Sequence, residues 1–147
     1  MIPRPDHAYV PGRNARHAED AFDPVKAEVT EGMGAADLAR TRTWEAGQVY
    51  YREGFYWECH EVLEAVWMAL PEGDSDRGAV QGLIQLANAR LKLRMDKPRA
   101  ARRLCALAEE AMSADAPVFD LSRDWLLAET RGIRAEAESA EITKDAQ

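Results

Sequence analysis

One short peptide concentrates the side chains able to do chemistry: Trp57-Glu58-Cys59-His60-Glu61-Val62-Leu63-Glu64-Ala65-Val66-Trp67. Successive residues of a helix are turned by roughly 100°, so His60 and Glu64 share one flank, while Glu61 stands about a quarter-turn from His60. His60 and Glu64 are therefore the natural pair, set at the edge of an apolar stripe beside Trp57 and Trp67. Partial burial there strengthens an imidazole–carboxylate hydrogen bond or favours metal ligation.

Two readings compete for this cluster. The HExxE spacing is similar to the HExxH helix of zinc hydrolases with one ligand exchanged. On that reading His60 and Glu64 ligate a divalent metal, zinc or manganese, and Glu61 is the candidate catalytic base or a supporting carboxylate. A mononuclear site needs a third ligand, however, and a dinuclear site in a bundle draws Glu-x-x-His pairs and further carboxylates from neighbouring helices. The next helix offers amides instead. Gln81, Gln85 and Asn88 fall on one side at spacings of four and three, which suits hydrogen bonding better than a hard metal cage. The preferred expectation is a buried His60–Glu64–Gln network that fixes helix register, with a metal or ligand site as the alternative.

Other residues carry less. Cys59 follows the apolar stripe, about 100° from His60, so core packing is expected rather than a Cys–His nucleophile pair. The four Trp residues fall at helix-compatible positions that suit core anchors. Arg90, Lys92, Arg94, Lys97, Arg99, Arg102 and Arg103 form a basic cluster that offers a place for an anionic partner. The first three also lie near a helix C-terminus, where cations complement the dipole.

The elements that must position these groups are helical. Pro3, Pro5, Pro11 and Pro24 discourage regular structure over residues 1–34, and Tyr9-Val10-Pro11-Gly12 reads as a turn, so this segment is an N-terminal arm that docks. Strong helix formers run from Ala35 to about Glu53 with Gly54 as the stop. Tyr56, Cys59, Val62, Leu63, Val66, Trp67 and Leu70, at spacings of three and four, predict an amphipathic helix over 55–70. Pro71, Gly73 and Asp74 break it, and Asp74 or Ser75 caps a third helix to about Met95 that forms a hairpin with the second. Gly82 is expected where those two helices approach closely. Pro98 opens a fourth helix to about Met112, and Asp120 or Ser122 caps a fifth, with a frayed acidic tail over 137–147. No segment alternates long enough for a strand, and no solenoid repeat recurs. The expected fold is all-α, a single-domain bundle of about five helices over residues 35–136.

At 147 residues the chain suits one domain. With 19 Lys and Arg against 26 Asp and Glu, the formal charge of −7 opposes non-specific binding to nucleic acid or anionic lipid. No run is apolar and long enough for a membrane span, and the first residues lack the apolar core of a signal peptide. Two cysteines without CxxC spacing argue against a disulfide framework. A reduced cytoplasmic protein is expected.

Phe55, Trp57-Glu58, His60-Glu61, Leu63-Glu64 and Trp67, followed by Gln81-Gly82-Leu83-Ile84-Gln85 and joined to Tyr9-Val10-Pro11-Gly12 and Arg16-His17 of the arm, carry a family resemblance. The chain resembles the domain-of-unknown-function family 309, small helical proteins sometimes labelled metal-dependent hydrolases. Family members often have Pro after the arm histidine, where this chain has Ala18. The resemblance transfers no established activity. It implies that a docked arm brings His17 toward His60 and Glu64 as a third group. Two function classes stay open, a metal-binding hydrolase-like protein and a non-catalytic module that binds a partner through its arm or basic cluster.

Overall fold

In a computed structural model the described residues are 1–146, so position 147 of the expected tail lies outside them. Seven helices follow one another: α1 (Asp23–Lys26), α2 (Ala35–Leu38), α3 (Arg42–Glu53), α4 (Tyr56–Ala69), α5 (Arg77–Arg94), α6 (Pro98–Ala111) and α7 (Arg123–Asp145), with a 3-10 turn at Pro117–Phe119. Among the described residues no strand occurs; one antiparallel bridge joins Ala116 and Leu121. Among the described residues no helix is long and apolar enough to cross a membrane.

The bundle is α3 to α7. α4 delivers the stripe expected of it: Cys59, Val62, Leu63 and Val66 are fully buried, while Tyr56 and Trp67 lie at its edge. α5 packs against α4 on one side and α6 on the other, and α6 against α7. Local chemistry sets the ends. The Ser122 hydroxyl accepts from the Trp125 N–H and caps α7, and Pro98 opens α6, where its missing N–H costs nothing. Gly54 closes α3 at φ 86°, a left-handed conformation that a side chain would strain.

Four boundaries differ from the sequence expectation; the first is the start of α5, whose N-cap is Asp76 without a side-chain cap bond, rather than Asp74 or Ser75. The helix predicted unbroken over 35–53 is interrupted because Thr41 turns extended (φ −74°, ψ 151°), accepts from the Trp44 N–H and donates to the Leu38 carbonyl. The hydroxyl offers the backbone an alternative to the helical ladder, which ends one turn and starts the next. α7 continues past Glu136 to Asp145, with Ala137 buried and Glu141 paired to Arg102 at 2.8 Å. The segment 1–34 also holds a single helical turn, α1, entered through Pro24.

Gly82 does not sit between α4 and α5. A Cβ there would meet Met112 at 3.3 Å and Leu126 at 3.4 Å, so it faces α6 and α7. The close approach that α4 does make is to α3, where Leu63 fills the space above Gly47. Gly78, one turn before Gly82, lies against the Ala111 carbonyl of α6.

The arm docks along α3 and α4. Ile2 and Phe22 are buried, the Tyr50 hydroxyl donates to the Pro3 carbonyl at 2.7 Å, and Arg4 forms a two-pronged pair with Glu53 at 2.7 and 2.8 Å. The expected turn forms with Pro11 and Gly12 as its central residues and spans 10–13, closed by the Arg13 N–H donating to the Val10 carbonyl at 2.9 Å, with Gly12 at φ 84°.

Candidate functional site

α4 carries His60, Glu61 and Glu64 on its outer flank, and one ligand atom from each lies within 4.8 Å of the others. His60 Nδ1 stands 2.7 Å from the Trp57 carbonyl. A carbonyl only accepts, so Nδ1 carries a proton and donates it to Trp57, which leaves Nε2 as the ring atom aimed outward. That Nε2 faces Glu64 Oε1 at 3.5 Å. Glu61 is engaged on its other side: Lys26 of α1 donates to it at 2.6 Å. The group is partly open, with side-chain exposures of 19% for His60 and 51% for Glu64.

The expected amide partners are elsewhere. Gln81 is exposed and Gln85 half-buried, and among the described residues neither hydrogen-bonds to His60 or Glu64. The buried His60–Glu64–Gln network is therefore not formed. The reason is rotational: α5 turns Val80, Leu83, Ile84 and Ala87 into the core, which carries Gln81 to the solvent side. Trp57 stands beside His60, whereas Trp67 is covered by the Arg77 guanidinium at 3.9 Å.

His17 does not join His60 and Glu64. It donates from Nε2 to Glu58 Oε2 at 2.6 Å, and the Tyr9 N–H donates to the same oxygen at 2.7 Å. Glu58 is wholly buried and His17 nearly so. The His17 ring stacks on His7 at 4.4 Å and contacts Phe22 at 5.2 Å and Trp57 at 5.9 Å. Trp57 also meets the His60 ring edge-on at 5.6 Å, so it stands beside both histidines.

Glu58 is the residue that spacing missed, although its signal was present. It lies four residues before Val62 and eight before Val66, on the face that packs inward. A carboxylate in that register demands partners, and the arm supplies them. Its second oxygen, Oε1, is buried without a protein partner among the described residues.

The basic cluster is met largely from within. Arg90 pairs with Glu129 at 3.1 Å, Arg99 with Asp145 at 3.6 Å and Arg102 with Glu141 at 2.8 Å, all carboxylates of α7. Arg94 donates to the Gly54 carbonyl. Lys92, Lys97 and Arg103 make no ion pair among the described residues. Cys59 is buried in the core as expected, and burial pushes its thiol well above the usual range, which leaves it inert as a nucleophile.

The profile of a domain of unknown function, DUF309, matches residues 44–104, the span from α3 through the first half of α6. This is the family whose resemblance the α4 and α5 motifs carry. No curated protein and no solved structure matched the chain.

Proposed function

We propose that the chain is a divalent-metal-binding protein of hydrolase-like type, with His60 and Glu64 as ligands and Glu61 as the neighbouring carboxylate. The observation that carries this reading is the hydrogen bond from His60 Nδ1 to the Trp57 carbonyl. Metal-ligating histidines characteristically donate their second ring N–H to a carbonyl or carboxylate, which fixes the tautomer and aims the free nitrogen. Nitrogen with carboxylate oxygens suits zinc or manganese. Glu61 fits as a third ligand on release of Lys26, or as a proton acceptor in its present place. When bound, the ion would supply Lewis-acid chemistry beside Trp57.

His17 is not in the ligand set, since Glu58 holds it. Its part is to dock the arm over α4. Elemental analysis of protein purified without chelator or affinity-tag metal tests the proposal. Wild type should gain thermal stability with added zinc or manganese, about 2.7 kcal/mol at a hundred times the dissociation constant, and Glu64→Gln should lose that gain. No shift in either protein overturns it.

A second reading keeps the segment from Arg90 to Arg103 as the seat of an anionic partner, supported by Lys92, Lys97 and Arg103, which make no ion pair among the described residues. Such a partner competes with Glu141 and Asp145 for Arg102 and Arg99. Charge reversal of Lys92, Lys97 and Arg103 that left retention on an anionic resin unchanged would refute it.

A further inference from the structure

A cavity of about 690 Å³ opens between α3, the start of α4, α5 and α7, and shares no residue with the His60 group. Its size falls within the range of small-molecule sites. Its floor is a fixed polar set. The Tyr51 hydroxyl donates to Glu129 Oε1 at 2.5 Å and accepts from Arg90 Nε at 2.9 Å, while a second Arg90 nitrogen reaches Glu129 at 3.1 Å. These three groups neutralise one another and hold each other's rotamers. Burial and the bond to Glu129 raise the Tyr51 phenol far above its ordinary range, so it stays a neutral donor.

The walls are aromatic. Tyr51 lies edge-on to Tyr56 at 5.7 Å and to Trp125 at 5.8 Å. Trp125 is 39% exposed, a large indole that the fold leaves uncovered beside the cavity. Two lining charges remain unengaged. Among the described residues, neither the Arg52 nor the Asp120 side chain makes a hydrogen bond or an ion pair, although both line the same space. Asp120 is also held at φ 53°, a left-handed conformation that non-glycine residues seldom adopt and that recurs at functional positions.

We propose that this cavity binds a small aromatic zwitterion, its ring against Trp125 and Tyr56, its carboxylate at Arg52 and its ammonium at Asp120. The chemistry follows from what is free. Aromatic surface recognises a planar ring, the one lining cation without a partner takes an anionic group, and the one lining anion without a partner takes a cationic group. A plain aryl anion leaves Asp120 unanswered, and a plain arylamine leaves Arg52 unanswered. Both charges are at the rim in contact with water, so each contributes modestly and the ring supplies most of the affinity.

Titration with L-phenylalanine, followed by tryptophan emission and by saturation-transfer NMR, tests the proposal, with benzoate and 2-phenylethylamine as the half-charged comparators. Wild type should saturate with L-phenylalanine, and each comparator should bind about two- to fivefold more weakly. Arg52→Gln should erase the preference for L-phenylalanine over 2-phenylethylamine, and Asp120→Asn, which tolerates the same backbone conformation, the preference over benzoate. Trp125→Ala should weaken all three ligands, with circular dichroism confirming that the variants are folded. No saturation of wild type by about 10 mM, benzoate binding as tightly as L-phenylalanine, or affinities unmoved by the Arg52 and Asp120 variants would each overturn it.

Discussion

His17 donates from Nε2 to Oε2 of Glu58 at 2.6 Å, a bond between residues 41 apart in the chain. It closes the arm onto α4 through a carboxylate with no exposed surface. Removing His17 leaves the wholly buried Glu58 carboxyl group short of a donor, so His17→Ala should destabilise by about 3–5 kcal/mol. Glu58→Gln, which keeps an acceptor for the Tyr9 N–H, should cost less, on the order of 1–3 kcal/mol. Urea unfolding measures both. Limited proteolysis should cut within residues 1–20 faster in either variant, and unchanged cleavage would show that the arm is held by other contacts.

His60→Ala should behave differently. His60 and Glu64 form a partly exposed i, i+4 pair rather than a buried network. Such pairs contribute about 0.3–0.5 kcal/mol, so with the Trp57 bond included the variant should lose less than about 2 kcal/mol. A loss of 3 kcal/mol or more, on the scale of a broken buried network, would mean that His60 is held far more firmly than the geometry describes.

Lys26→Gln should strengthen metal binding at α4. Lys26 and Glu61 are about three-quarters buried, with 27% and 26% side-chain exposure, and their bond competes with any ion for the carboxylate. Releasing roughly 1 kcal/mol of that competition corresponds to about fivefold tighter zinc binding. Calorimetric titration decides; weaker binding would exclude Glu61 as a ligand.

Gly78→Ala should destabilise more than Gly82→Ala. A methyl at Gly78 runs into the Ala111 carbonyl, which is backbone and yields only if α6 moves. At Gly82 the nearest atoms are side-chain carbons at 3.3 and 3.4 Å. Overpacking of the first kind costs about 1–3 kcal/mol. Equal melting temperatures for the two variants would contradict this placement.

Stability should fall on the alkaline side. Burial raises the Cys59 thiol in the folded chain, and burial likewise raises the Tyr50 and Tyr51 phenols. A group whose folded pKa is raised contributes fully below its unfolded value and loses that contribution as pH rises. The unfolded thiol begins to ionise near pH 8.5 and the unfolded phenols near pH 10. The urea midpoint should therefore decline from about pH 8.5 upward and more steeply above about pH 10. Burial raises the Cys105 thiol in the same direction, so Cys59→Ala should reduce the first part of the decline and Cys59→Ala with Cys105→Ala should remove it; a midpoint flat from about pH 7 to 10 would refute the linkage.

The all-α class, the apolar stripe of α4, the stop at Gly54 and the cap at Ser122 were legible in the sequence, because each depends on residues within a turn or two of one another. The pairing of His60 with Glu64 belongs to the same class, being a consequence of helical period. The break at Thr41 is also local, but it turns on one hydroxyl outcompeting a run of good helix formers. What lay beyond local reading was rotation and docking. Gln81 and Gly82 face where the packing of α5 between α4 and α6 turns them, and no periodicity within α5 names the neighbour on each side. Glu58 could be placed in the core from its register with Val62, yet its partners came from Tyr9 and His17 of the arm. Spacing within a helix determines which side chains share a face; only the closure of distant segments onto that face decides which of them are answered, because a buried charge is satisfied by whatever donor the tertiary fold brings to it.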